Sequence, residues 1–353
     1  MSLAKHWADN LPDWNQFQTM VQGIWDRAYY TNHGPLLSEL EARLSSSLNV
    51  EHTVCMTNSS IALMIAIKAL DIKYKVVIPA FAHPSIAQSV TWSGLDFEIC
   101  KVKENSLVID TDELQRISDL NEALVIAIND YGYVNDIKTL EALAKKNNFR
   151  LLFISSSFFG EQYEHRSFGT FGHMELFSFH ESHLVHGADG ASVCTHDTVL
   201  AEKLRNIRSS YGARKNVPIP YTGNGRMSEI QAGLIHLSLD DFKANKRQFE
   251  KRKVLFKDIV AGMAGITISE TNTGCKNFLL MVDFEKLGIN KDSVRPRLKE
   301  INRDIDFFDF YGHGVQKGKN LNNSCSLADN ALGIPAAINE EQFGQVISIL
   351  TKP

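Results

Sequence analysis

The chain has 353 residues, of which 44% are hydrophobic, 9% aromatic and 22% charged; these are the proportions of a folded globular protein with room for about two domains. Lys plus Arg number 37 against 41 Asp plus Glu, a formal net charge of −4, and so mild an acidity without a basic stripe argues against nucleic acid or an anionic membrane surface as partner. No apolar run approaches the ~20 residues that span a bilayer, and the opening MSLAKHWADNLPDW has no apolar signal-peptide core, so a cytoplasmic protein is expected.

From residue 51 to about 194, short apolar runs alternate with helical patterns. Strands are predicted at 52–56, 76–79, 97–102, 124–128 and 150–155, with helices at 58–70, 84–92 and 137–148 between them. Such alternation is the signature of an α/β fold whose mainly parallel sheet is buried on both faces. Two further runs at 175–179 and 190–195, with no helix between them, predict an antiparallel addition to that sheet. Helices follow at 197–209, 228–237 and 239–261, the last bridging to a smaller α+β unit with a strand at 278–283 and helices at 291–302 and 339–350. The predicted division is a large domain over 1–245, with an N-terminal helical segment, and a small C-terminal domain over 246–353. Cys55, Cys100, Cys194, Cys275 and Cys325 are odd in number and scattered, which predicts reduced thiols, with neither a disulfide framework nor a metal site.

Three segments could carry chemistry. Thr57-Asn58-Ser59-Ser60 runs from a strand into an apolar helix; free N–H groups, the helix dipole and the serine hydroxyls there favour an anion, although Asn and Ser are also ordinary N-caps. Phe177-Ser178-Phe179-His180-Glu181-Ser182-His183 leads into Leu184-Val185-His186-Gly187. One of its histidines could act as a general base, since imidazole titrates near working pH. The spacing of three also admits a metal, which a Gly-rich loop seldom supports, and surface histidines on a loop are the plain alternative. Gly223-Asn224-Gly225-Arg226-Met227-Ser228-Glu229-Ile230-Gln231 reads, on its own, as punctuation before a helix capped by Ser228.

In this order the segments resemble the DegT-type nucleotide-sugar aminotransferases, pyridoxal-phosphate enzymes of the aspartate-aminotransferase fold. The resemblance covers nearly the whole chain. Thr31-Asn32-His33-Gly34-Pro35 is similar to the family's TNxGP, Asn58-Ser59-Ser60-Ile61-Ala62-Leu63 stands where it has NGTxAL, Tyr131-Gly132 with Asp136 matches YGxxxD, and Gly223 to Gln231 is close to GxNxRMSEIQ. It implies an aspartate-aminotransferase-like large domain with a mainly parallel seven-stranded sheet, a small C-terminal α+β domain, and a homodimer in which Asn224 is offered to the partner's site. It also implies a phosphate cup of Ser59, Ser60 and Ser178, and a setting in unusual-sugar biosynthesis for lipopolysaccharide or other surface polysaccharide.

The same resemblance exposes departures. Ile154 of Ile154-Ser155-Ser156-Ser157-Phe158-Phe159-Gly160 stands where the family's DAAHxFG has the aspartate that pairs with the pyridine nitrogen. His183 replaces the Schiff-base lysine, His83 falls where an aromatic stacks on the cofactor ring, and Asp189 aligns with a glutamate. An imidazole cannot form the internal aldimine, and a hydrocarbon does nothing to keep the ring nitrogen protonated, on which its use as an electron sink depends. The resemblance thus implies a divergent member, a pseudoenzyme for transamination, that binds a nucleotide sugar or other phosphorylated ligand or performs acid/base chemistry with His183. Pyridoxal phosphate, if bound, is never a lysine-linked aldimine, and the site residues around it would include His83, Ile154 and Ser157. Alternatives are a cofactor-dependent keto-deoxy-sugar 3-dehydratase with His183 as base, a non-catalytic partner of an active paralogue, and an aminotransferase in family name.

Overall fold

Seven strands in the order β1-β9-β8-β5-β4-β2-β3 form the central sheet of a computed structural model that describes residues 11–180, 183–209, 221–269, 277–302, 305, 307–308, 330–335 and 338–352. The strands are β1 (His52–Met56), β2 (Lys75–Pro79), β3 (Asp96–Cys100), β4 (Leu124–Ile128), β5 (Arg150–Ile154), β8 (Met174–Ser178) and β9 (Ala191–Thr195), with β6 (Gln162–Tyr163) and β7 (Arg166–Ser167) making a small hairpin apart. Pairing is parallel from β3 through β2, β4 and β5 to β8, whereas β9 runs antiparallel to both β8 and β1. The predicted α/β class, the mainly parallel sheet and its antiparallel addition are all present.

The helices of this part are α1 (Trp14–Arg27), α2 (Pro35–Leu48), α3 (Ser59–Ala69), α4 (Pro84–Trp92), α5 (Thr111–Arg116), α6 (Ile137–Asn147), α7 (Thr198–Arg208) and α8 (Glu229–Val260). Strand periodicity distributes the core between the two faces of the sheet. On β4, Val125 and Ala127 join the cluster under α2 and α6, while Leu124, Ile126 and Ile128 join the one under α3 and α4. Every residue of β4 is buried, and so its sequence is a continuous apolar run rather than an alternating one.

The helices predicted at 228–237 and 239–261 are one element. Helix α8 runs 32 residues without a break, because Ser238 at the supposed joint is buried and its hydroxyl bonds the Leu184 carbonyl and the His186 N–H instead of ending the helix. The boundary expected at 245 therefore falls inside α8, which is shared by both parts of the chain.

The C-terminal part is a three-stranded antiparallel sheet, β10 (Ile266–Ile268), β11 (Asn277–Val282) and β12 (Ala331–Pro335), with α9 (Lys291–Ile301) and α10 (Glu340–Thr351). Its core centres on Phe256 of α8, stacked on Phe343 at 4.1 Å, with Phe278 beside them. A smaller cluster of Phe81, Tyr131, Leu279 and Phe308 joins this part to the loops at the C-terminal ends of β2 and β4.

Cys55, Cys100 and Cys194 are buried free thiols. Burial pushes Cys100 and Cys194 up to about 12 and raises Cys55 as well. Cys275 and Cys325 lie outside the described residues.

Candidate functional site

The C-terminal ends of β2, β4, β5 and β8 open into a cleft of about 320 Å³, where open α/β sheets bind their ligands. Each strand delivers its own group: Phe81 and His83 after β2, Asn129, Asp130 and Tyr131 after β4, Ile154 and Ser156 at the end of β5, and Ser178, His180 and His183 from β8 onward. The first turn of α3 closes the cleft with Ser59 and Ser60.

The turn into α3 is capped by Asn58, whose side-chain oxygen accepts from the Ile61 N–H at 2.9 Å. The N–H groups of Ser59 and Ser60 precede the first intrahelical bonds, and with the positive end of the dipole they make this end of the cleft favourable to an anion. The turn is braced from the other motif: Thr57 N–H donates to the Gly225 carbonyl at 2.9 Å, and the Gln231 side chain donates to the Thr57 carbonyl at 2.9 Å. A Cβ at Gly225 would stand 2.7 Å from Ile61 and 2.8 Å from Ile65, so only glycine lets the segment lie on α3. Glu229, buried in the same motif, accepts from the Leu36 and Leu37 N–H groups at 2.9 and 3.0 Å. It thereby caps α2, whose N-cap Gly34 has no side chain to do so. Within its own chain the Gly223–Gln231 motif is thus structural, as its composition alone suggested.

The histidine loop is pinned at both ends. Phe179 N–H donates to the Gly190 carbonyl at 2.8 Å and Gly187 N–H to the Phe179 carbonyl at 2.9 Å. Gly190 has φ +144°, and a Cβ there would meet Met227 at 3.0 Å. Between these pins His180 and His183 reach the cleft, while His186 is buried against α8. His83 is the N-cap of α4, its Nδ1 accepting from the Ser85 N–H at 3.2 Å. Among the described residues no group of three or more His, Cys, Asp or Glu side chains is arranged to hold a metal ion.

Of the residues anticipated from sequence, Ser59, Ser60, His83, Ile154, Ser178 and His183 all line this cleft. Ser157 does not line it; its hydroxyl bonds the Asp130 carboxylate one layer behind. The neighbour Ser156 faces the cleft and its Oγ accepts from the Ser178 N–H at 2.8 Å, because the 3₁₀ turn at Ser156–Phe158 interrupts strand alternation. Asn224 lies outside the cleft of its own chain, exposed, at φ 43°, with its side-chain oxygen accepting from Arg226 at 2.9 Å. Asp189 also lies off the cleft and accepts from the Gly190 N–H at 2.8 Å.

Sequence reasoning missed Asn129, Asp130 and Ser85. The signal was available for the first two: they follow a fully apolar strand, at the end where ligands bind.

Beneath the floor, on the opposite face of β8, Glu175 is fully buried. Burial pushes its carboxyl up to about 7, although the Ser155 hydroxyl and the Gly169 and Phe171 N–H groups pull against that rise. Ser155 in turn accepts from the Asn129 side chain at 2.9 Å, so a buried polar chain runs under the site from Glu175 to Asn129.

The residues suit only part of the cofactor that the fold class carries. A phosphoryl group fits the Ser59, Ser60 and Ser178 end. At the other end Ile154 is packed among Ile128, Leu152 and Leu176 and gives a protonated pyridine nitrogen no carboxylate on β5, and His183 offers no primary amine. A lysine-linked pyridoxal phosphate with its ring nitrogen paired to a carboxylate on β5 does not fit this site.

A chain with this sheet order and a cleft at its carboxyl ends belongs to a defined class: residues 13–347 match the DegT/DnrJ/EryC1/StrS aminotransferase family, and the protein is a member of it. It is 25% identical to the dTDP-4-amino-4,6-dideoxy-D-glucose transaminase of Shigella dysenteriae over 300 residues, covering 83% of this chain and 81% of that one. It is 22% identical to the GDP-perosamine synthase of Vibrio cholerae, covering 81% and 79%. The fold matches DesI, solved in the presence of its TDP-sugar product, at a TM-score of 0.87 with 21% identity, covering 98% of this chain and 95% of that one. A GDP-4-keto-6-deoxymannose-3-dehydratase with bound GDP-perosamine matches at 0.78 with 17% identity, covering 96% and 98%.

Proposed function

We propose that this protein is a family member that no longer transaminates and that uses its cleft to bind a phosphorylated ligand, a nucleotide sugar above all, in the assembly of an unusual sugar for surface polysaccharide. One observation carries the reading: Ile154 and His183, the two residues that depart most from transamination chemistry, both line the cleft that retains Ser59, Ser60 and Ser178. The relatives named above act on sugars carried by dTDP or GDP, which supports that ligand class. The working form proposed is a cytoplasmic homodimer in which Asn224 completes the partner's site.

Titration with pyridoxal phosphate, followed by absorbance, tests the reading. No stoichiometric protein-bound band is expected, nor amino transfer from glutamate to a keto-sugar nucleotide. A stoichiometric protein-bound band, or amino transfer by the pure recombinant chain, overturns it.

His183 also supports a second reading, a sugar-nucleotide 3-dehydratase in which its imidazole moves the proton. Under that reading His183→Asn retains ligand binding and loses turnover; a mutant with undiminished dehydration excludes it. Pairing with an active paralogue is a third use of the same surface, and co-expression followed by mass analysis separates it from the homodimer.

A further inference from the structure

Among the described residues that line the cleft, Asp130 is the only acid. It sits two residues past β4, beside Ile154 on the neighbouring strand: Ile128 and Ile154 are register partners, and the Asn129 N–H donates to the Ile154 carbonyl at 2.8 Å. The cleft therefore does contain a carboxylate, at the end of the strand next to the one that carries Ile154.

The turn that holds this carboxylate is strained and held from several sides. Tyr131 adopts φ 48°, a left-handed conformation that costs a bulky residue of order 1–3 kcal/mol and persists only where its surroundings over-determine it. Here they do. The Asn129 side chain donates to Ser155 Oγ at 2.9 Å and accepts from the Asn135 N–H at 2.9 Å. Tyr133 N–H donates to the Asp130 carbonyl at 2.8 Å. The Tyr131 ring meets Phe308 edge-on at 5.2 Å and Phe81 at 6.3 Å. On the carboxylate itself, Oδ1 accepts from the Tyr131 N–H at 2.7 Å and from the Ser157 hydroxyl, which fixes its plane. A group held this firmly at a ligand cleft is preorganised for recognition.

We propose that Asp130 makes this cleft a reader of glycosyl phosphates. The phosphoryl group sits on Ser59, Ser60 and Ser178, and the sugar ring enters the cleft itself, donating hydroxyl hydrogen bonds to Asp130. The inference rests on the phosphorylated-ligand reading above and adds the part of the ligand that is read and the residue that reads it. The cleft's 320 Å³ lies at the low end of the ~300–1,000 Å³ of small-molecule pockets. That suits one phosphorylated ring, with any nucleotide left outside. The lining fits a sugar: Leu63, Ile86 and Ile154 offer an apolar face, while Asp130 and the imidazoles of His83 and His183 supply polar edges.

Calorimetric titration of the full-length protein with inorganic phosphate and with the 1-phosphates of glucose, mannose and N-acetylglucosamine tests this. At least one glycosyl phosphate is expected to bind tenfold or more tightly than inorganic phosphate. Asp130→Asn is expected to erase that advantage without weakening inorganic phosphate, since a carboxylate that repels the anion is removed; retained phosphate binding also reports that the variant is folded. Ser157→Ala, which only loosens the carboxylate, should lose a smaller share, about threefold. The proposal is overturned if no glycosyl phosphate outbinds phosphate, or if Asp130→Asn binds the sugar phosphate as wild type does. Failure of the underlying reading looks different: Ser59→Ala/Ser60→Ala then leaves the affinity for inorganic phosphate unchanged, and that result overturns both.

Discussion

Glu175 stands out among the side chains because its carboxyl is buried with no ion pair among the described residues, held by two backbone N–H groups and a serine hydroxyl, with Arg166 acting only weakly against the effect of burial. Burial disfavours the charged form, so the folded chain binds this proton more tightly than the unfolded chain does. The group's contribution to stability is full below its ordinary value of 4.5 and is lost as pH rises to about 7. Stability is therefore expected to fall across that window by about 3 kcal/mol at most. Glu175→Gln, which keeps both backbone bonds, should flatten the dependence in denaturant titrations at pH 5 and pH 7.5. An unchanged slope would show that the carboxyl titrates normally. Arg208 is the opposite case, a buried cation held through both of its terminal nitrogens. It donates to Glu41, to the Cys55 carbonyl at 2.6 Å and to His33 at 3.0 Å. Removing one partner of such a pair strands the other, so Arg208→Met is expected to cost ~3–5 kcal/mol, read as a lower midpoint in urea.

At the scale of elements, the first turn of α3 joins stability to binding. Asn58 satisfies the Ile61 N–H of the turn, which leaves Ser59 and Ser60 on the cleft as the donors of the proposed phosphate site. Asn58→Ala should cost about 1 kcal/mol as a lost N-cap and also weaken inorganic phosphate, since a frayed turn no longer presents its donors together. A stability loss with phosphate affinity intact would separate the cap from the site. The long motif from Gly223 to Gln231 acts through the same turn. Its Gly225 carbonyl and Gln231 side chain hold Thr57 from both sides, and its Glu229 caps a second helix. Much of what looked like a site signature is the mortar between α2, α3 and α8.

For the molecule as a whole, the telling features are the continuity of α8 and the apolar cluster behind the cleft. Phe81, Tyr131 and Phe308 pack with Leu279 of the C-terminal sheet, so the loops that carry His83 and Asp130 rest on the second part of the chain. Phe81→Ala is expected to destabilise by ~3–5 kcal/mol and to weaken ligand binding at 20 °C, where the chain is still folded. Loss of stability without loss of affinity would show that the two parts are uncoupled at this contact. The proposed homodimer predicts a particle of two chains in light scattering.

The sequence alone determined the α/β class and the seven strands of the central sheet, with the helices between them, because buried parallel strands and amphipathic helices leave apolar runs and periods that need no distant partner to be read. It also supplied the premise of the proposed function, a hydrocarbon at Ile154 and an imidazole at His183, since those residue types carry their chemistry in their composition. Only the tertiary structure decided that α8 is unbroken at Ser238, whose hydroxyl finds acceptor and donor in a loop some fifty residues away in sequence. It likewise decided that Ser156 rather than Ser157 faces the cleft, and that Asp130 enters it. Those outcomes depend on a 3₁₀ turn, a left-handed tyrosine and a contact across strands, and such long-range geometry has no local pattern to announce it.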